Sequence, residues 1–216
     1  MTEQNFEQMR KAMVASQLRT TGVNDPRVIA AMAAVPRERF VPAERRALAY
    51  ADTLVPLAGG RALNPPMALG RLLTEAQLRG HERALVIGAA TGYSAALLAR
   101  LAGSVVALEE DKALLAFARD ALDGTNVELV TGPLADGWKA GAPYDFILFD
   151  GAVEQVPQAI VDQATEGGRI ALAAIDRGVS RLSVGRVAAG AFGATAFSDA
   201  AAAVLPGFSK PRTFSF

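Results

Sequence analysis

The 216-residue chain has no cysteine and a single histidine, His81. The first absence excludes disulfides, thiolate nucleophiles and Cys-ligated metals, and the second excludes a His-cluster metal site. Net charge is missing as well, because 22 Lys and Arg offset 22 Asp and Glu. No overall field draws the chain onto nucleic acid or an anionic membrane, so neither is expected as a partner. No uncharged stretch approaches the roughly 20 residues of a membrane span. The acid-bearing N-terminus MTEQNFEQMRKAM lacks the unbroken apolar core of a signal peptide, and cytoplasmic residence is the default expectation. Internal repeats and linkers are also absent.

What is present is a hydrophobic half (51%) with a charged fifth (20%), the balance of a globular domain long enough to bury a substantial core. One domain is expected. Phe6, Met9, Met13 and Leu18 recur at helical spacing, and Asp25-Pro26 offers an N-cap followed by proline at the first helical position. The second helix runs through Val28, Ile29 and Met32 to Pro36. Ala49 to Met67 reads as loop and candidate active-site wall, and Ala68 to Leu78 as a helix with Leu69, Leu72, Leu73 and Leu78 inward.

From there the period changes to an alternation of strands and helices. Strands are expected at Arg83–Ile87, Val105–Leu108, Val127–Val130, Phe146–Phe149 and Arg169–Ala173, with helices near Ser94–Leu101, Ala113–Leu122 and Gln158–Ala164. This predicts a parallel sheet covered on both faces, since uniformly apolar strands have no solvent side. Ser180 to Phe216, with Phe192, Phe197, Phe208, Phe214 and Phe216, predicts late antiparallel strands or a C-terminal flap.

Two elements point to a cofactor. Arg83 to Ser94 is a strand, a small-residue turn and a helix start, where backbone can crowd a ligand; structural Gly/Ala turns look the same. Glu109 follows Val105-Val106-Ala107-Leu108 at the carboxyl end of the second strand, where ribose hydroxyls are accepted in such folds. Its bland reading is a solvated helix cap, the role given to Glu110 and Asp111. A dehydrogenase uses both elements too, so they leave the cofactor class open.

Further segments carry a family resemblance: Gly22-Val-Asn-Asp-Pro-Arg-Val-Ile-Ala-Ala-Met32, Val35-Pro-Arg-Glu-Arg-Phe-Val-Pro42, Ala49-Tyr-Ala-Asp52 and Ile87-Gly-Ala-Ala-Thr-Gly-Tyr93, then Asn126-Val127, Gly137-Trp138, Ala142-Pro-Tyr-Asp145 and Gly167-Gly168-Arg169. In order and spacing, over roughly residues 10 to 175, these resemble the protein-L-isoaspartate O-methyltransferases. The resemblance implies a Rossmann-like class I methyltransferase fold, α/β, with a mostly parallel sheet and an N-terminal helical extension. Its expected parts are N-terminal helices and active-site loop (1–80), a cofactor-binding βα core (81–175) and C-terminal strands (176–216). It also implies S-adenosylmethionine as cofactor and isoaspartyl peptides or proteins as substrate. Cofactor contacts are expected at Leu63, Gly88, Ala89, Ala90, Thr91, Gly92, Glu109, Pro133 and Leu134.

The likeness has departures. Where the family reads roughly Gly-Gln-Thr-Ile-Ser-Gln-Pro, this chain has Gly60-Arg-Ala-Leu-Asn-Pro-Pro66, so Asn64 replaces the serine linked to catalysis. Gly132-Pro133-Leu134 stands for a Gly-Asp-Gly whose acid is associated with adenine, and Val86 and Ala90 replace an acid and a glycine of the turn. A positive φ at Ala90 would cost about 1–2 kcal/mol. Asn64 is read either as a substrate contact through its amide or as a turn starter before Pro65.

Asp150, at the end of the fourth predicted strand, is a candidate base or metal ligand, as in the locally similar methyltransferases acting on catechol-like hydroxyls. No second carboxylate has matching spacing, so no metal is expected. Asn64 and Asp150 are thus the catalytic candidates. His81 is expected exposed, Trp138 packed, and Arg37-Glu-Arg39 with Glu44-Arg-Arg46 a solvated face or, through one of its arginines, a contact for an acidic peptide. Two other readings stay open: a methyltransferase with a different acceptor, and a non-catalytic paralogue serving as a binding or regulatory module.

Overall fold

The computed structural model describes residues 5–210, so Phe214 and Phe216 lie outside the described residues. Helix α1 (Phe6–Ala12) starts at Asn5, whose side chain accepts from the Gln8 amide at 3.0 Å. It widens into a π-helical stretch, Met13–Leu18, that buries Met13 and Leu18, and it ends at Gly22 with φ 91°. Helix α2 (Pro26–Ala34) starts as its sequence predicts, Asp25 accepting from the Arg27 amide at 2.8 Å.

In the expected loop, β1 (Val55–Pro56) pairs antiparallel with β2 (Ala62–Leu63). Strands this short carry no period and escape sequence reading. Helix α3 spans Pro66–Ala76 and so begins two residues before the expected start; Pro66 is its first residue, where a missing N–H costs nothing.

The sheet is built from β3 (Arg83–Ile87), β4 (Ser104–Glu109), β5 (Val127–Thr131), β6 (Tyr144–Val153), β7 (Ala164–Asp176), β8 (Val179–Ala188) and β9 (Ala191–Asp199). Helices α4 (Tyr93–Leu98), α5 (Lys112–Ala121) and α6 (Gln158–Val161) lie between its parallel strands. Strand order is β5-β4-β3-β6-β7-β8-β9, parallel from β5 to β7 and antiparallel beyond.

The strand order reverses between β3 and β6, and the crevice outside their carboxyl ends is where open α/β sheets take ligands. One core cluster contains Ala84, Val86 and Phe146 with the N-terminal helices, and the other contains Leu85, Ile87, Ile147 and Phe149. Alternate residues of each strand therefore feed opposite cores, which is why the strands show no polar period.

Beyond β9, residues 200–210 return as a strap to the end of β6. Ala203 O accepts from Ala152 N at 2.7 Å, and Leu205 N donates to Ala152 O at 2.9 Å. Leu205 and Phe208 are buried, the Phe208 ring edge-on to Phe149 at 5.2 Å. The tail thus combines the antiparallel strands and the flap that were expected as alternatives.

Candidate active site

The crevice is lined first by the turn after β3. Gly88 (φ 78°) and Gly92 (φ 95°) occupy the left-handed region, and so does Ala90 at φ 50°. Thr91 is buried and donates its hydroxyl to Phe40 O at 2.7 Å, tying the turn to the N-terminal segment. A Cβ on Gly92 would lie 2.7 Å from Leu122 Cδ1, so packing as well as φ requires glycine there. Ala89 and Leu63 are buried in the first core cluster.

Glu109 reaches under this turn and is fully buried. Its Oε2 accepts from Ala90 N at 2.7 Å, and its Oε1 accepts from Glu110 N at 2.9 Å and Asp111 N at 3.1 Å. Oε1 also takes the Arg61 guanidinium at 2.7 Å, an ion pair with side chains 6% and 0% exposed. Asp111 caps α5 as expected, accepting from Ala113 N at 2.8 Å.

Beside Glu109, the Gly132 amide donates to its carbonyl oxygen at 3.4 Å, and a surface cleft of about 440 Å³ opens between Gly132, Pro133, Gly137, Trp138 and Ala159. Pro133 lines this cleft, whereas Leu134 is buried in the second core cluster and Trp138 packs against it.

The second wall comes from β6, whose register shifts between Leu148 and Ala152. Such irregularities re-aim side chains next to sites, and Asp150 lies inside this one. It is buried, and its Oδ1 and carbonyl oxygen accept from Asn64 Nδ2 at 2.8 Å and 2.9 Å. Asn64 Oδ1 in turn accepts from Ala203 N at 2.8 Å. Asn64 therefore does more than start a turn, since its amide joins the β2 loop, β6 and the strap.

Burial pushes the Asp150 carboxyl above the usual aspartate range. Ser94, Asn64 and the Arg61 and Arg37 guanidiniums oppose that push without cancelling it. The buried Ser94 hydroxyl has no well-formed hydrogen bond. Among the described residues, no group of three or more His, Asp or Glu side chains gathers to hold a metal ion.

Arg37 corrects the sequence reading. Expected on a solvated face, it is fully buried, donates to Ala49 O and Asn64 O at 2.7 Å each, and stacks over Tyr93 at 4.5 Å. Desolvation lowers its guanidinium below the usual arginine range. It bridges two loop carbonyls that lack sheet partners, a need that no residue pattern reveals. His81 is exposed as expected. Arg61 and Leu205, both at the crevice, went unnoticed in the sequence; the available signal was a lone cation between Gly59-Gly60 and the apolar Ala62-Leu63.

The family profile for Protein-L-isoaspartate(D-aspartate) O-methyltransferase matches residues 8–185. The chain belongs to that family. Protein-L-isoaspartate O-methyltransferase 1 of Rhodopseudomonas palustris is 41% identical over 173 residues, covering 78% of this chain and 70% of that one. The Koribacter versatilis protein-L-isoaspartate O-methyltransferase is 38% identical over 193 residues, covering 88% and 87%. In fold, this family member superposes on a solved protein-L-isoaspartate O-methyltransferase with a TM-score of 0.81 at 22% identity, covering 92% of this chain and 66% of the other. A Plasmodium falciparum β-aspartate methyltransferase, solved with S-adenosyl-L-homocysteine, gives 0.74 at 18% identity, covering 93% and 97%.

Proposed function

We propose that this chain transfers a methyl group from S-adenosylmethionine to the α-carboxylate of isoaspartyl residues in damaged proteins. The observation that carries the proposal is the family match across residues 8–185, which spans the glycine turn, Glu109 and Asp150. The crevice residues suit the cofactor: Gly88 presents backbone without a side chain at the turn, and Glu109 ends the strand beside it. Gly88, Ala89, Ala90, Thr91 and Gly92 would hold it with Glu109, and Pro133 would offer a surface to adenine. Leu63 and Leu134 would support these contacts from the core. When bound, the sulfonium supplies an electrophilic methyl group.

The remaining chemistry is undemanding. An isoaspartyl carboxyl has a reference pKa near 4, so it is an ionised nucleophile at neutral pH and needs no general base. The protein's task is alignment. In this reading, Asn64 and Asp150 act as one positioning unit, the amide holding the carboxyl and the strap together. Cytoplasmic residence is part of the proposal. A cysteine-free chain needs no oxidising compartment, and among the described residues no helix is long and apolar enough to cross a membrane.

Purified protein incubated with methyl-labelled S-adenosylmethionine should label an isoaspartyl peptide and leave the aspartyl peptide of the same sequence unlabelled. Cofactor binding without labelling of either peptide would rule out this acceptor. A second reading, a binding module that no longer uses the cofactor, is favoured by one observation: side chains of the chain itself fill the crevice. An S-adenosylhomocysteine titration separates the two.

A further inference from the structure

Two side chains from distant segments meet at the switch-point crevice. Arg61, from the loop joining β1 to β2, places Nη1 on Glu109 and Nη2 on Gly88 O at 3.0 Å, while its buried Nε has no partner. Leu205, from the strap, is 2% exposed and lies between the two strand ends. A Cβ built on Gly88 would stand 2.7 Å from Leu205 Cδ2 and 3.0 Å from Arg61 Nη2, and one on Gly151 would stand 2.7 Å from Leu205 Cγ. The bare backbone of both glycines, the surface that lets a ligand approach closely, is covered by the chain itself.

We infer that Arg61 and Leu205 are internal occupants of the cofactor crevice, and that Arg61 sets how readily the cofactor enters. The inference rests on the methyltransferase reading. Glu109 Oε1 already accepts from Arg61 and two amides, and Oε2 accepts from a third. A ribose presents hydroxyl donors, so it competes with the guanidinium for the same carboxylate. Arg61 has somewhere to go: Ala58, Gly59 and Gly60 before it are exposed, and both glycines hold positive φ, 62° and 73°.

Leu205 cannot withdraw alone, because its amide and the neighbouring Ala203 are tied to Ala152 and Asn64. Cofactor entry is therefore coupled to release of the strap. Asn64, which anchors the strap and holds Asp150, loses the Ala203 amide in the same movement.

The test is calorimetric titration with S-adenosylhomocysteine of the whole protein and of Arg61→Gln and Leu205→Ala, each checked for native circular dichroism. Amide exchange across residues 200–210 is followed with and without ligand. Either folded variant should bind the ligand about tenfold more tightly than the parent, or better, and saturation of the parent should speed exchange in the strap. A purely structural role for Arg61 predicts weaker binding in the variant instead. Equal or weaker binding by either folded variant, or a strap equally protected when ligand is bound, overturns the inference and leaves the methyltransferase reading standing. No binding by any of the three proteins at millimolar ligand overturns both.

Discussion

At the scale of single residues, the crevice is built from side chains held in costly states. Asp150 is a buried carboxyl pushed above its ordinary 3.8, chiefly by desolvation. A raised folded-state value means that its contribution to stability is complete below the unfolded value near 4 and is lost as pH rises through the folded one. Asp150→Asn keeps an oxygen for the Asn64 amide and removes the charge. It should raise stability and melting temperature at pH 7.5, and the gain should shrink as pH approaches 4. A lower melting temperature at pH 7.5 would show that the fold depends on the ionised carboxylate.

Ala90 holds φ 50° with its amide on Glu109. Ala90→Gly relieves about 1–2 kcal/mol of left-handed strain and adds roughly 0.5–1 kcal/mol of unfolded-state entropy. Denaturant titration should therefore find a small net gain, below about 1.5 kcal/mol. The sequence marked Ala90, Asn64, Glu109 and Asp150 because residue type and strand-end position are local facts. It was silent on Arg61 and misplaced Arg37 because the partners of both are remote: Glu109 is 48 residues from Arg61, and the Asn64 carbonyl is 27 from Arg37.

At the scale of elements, the β3 to β7 alternation was legible because burial on both faces leaves an unbroken apolar run between glycine-rich turns. The β1–β2 pair, the π-helical widening of α1 and the extra length of β6 were not, since hydrogen bonds to neighbouring segments create them without a residue period. One junction between elements carries much of the load. Arg169 of β7 donates to Ala76 O and Gln77 O at the end of α3, at 2.5 Å and 2.6 Å, and pairs with Glu82 at 2.5 Å. Glu82 also accepts from Arg79 N and Gly80 N at 2.7 Å and 2.8 Å.

Desolvation pushes the Glu82 carboxyl up, but the Arg79 amide, Arg169 and the Gly80 amide together outweigh it and hold the group at about 2. A lowered folded value makes this stabilisation present above the unfolded pKa of 4.5 and lost as pH falls toward 2. Glu82→Gln should cost about 3–5 kcal/mol at neutral pH, the usual penalty for stripping one partner from a buried ion pair. Denaturation curves for variant and parent should draw together below pH 4.5. A constant gap across that range would assign the loss to packing.

At the scale of the whole molecule, stability and ligand access compete for the same crevice. Leu205→Ala removes a buried side chain and should destabilise the fold by about 2–5 kcal/mol, while opening the space beside Gly88 and Gly151. Thermal melts and ligand titrations on one preparation would show the two quantities moving in opposite directions. Parallel movement would mean that the crevice is a stability element and nothing more. None of this was legible in sequence. The tail from Ser180 was readable as strands or flap, but its destination depends on Asn64 and Ala152 presenting an acceptor and a donor to one short stretch of backbone.

That closure also has a timetable. The bond from Ala203 N to Asn64 Oδ1 spans 139 residues of chain. At synthesis rates of roughly 5–20 residues per second, about 7–28 s separate the emergence of its two ends from the ribosome. The last parallel strand ends at Asp176, so for roughly the final 1–5 s of that interval the parallel core can assemble while Asn64 and Asp150 stand clear of the strap. A nascent chain is thus open at this crevice before it is finished, and S-adenosylmethionine present during translation meets it ahead of the strap.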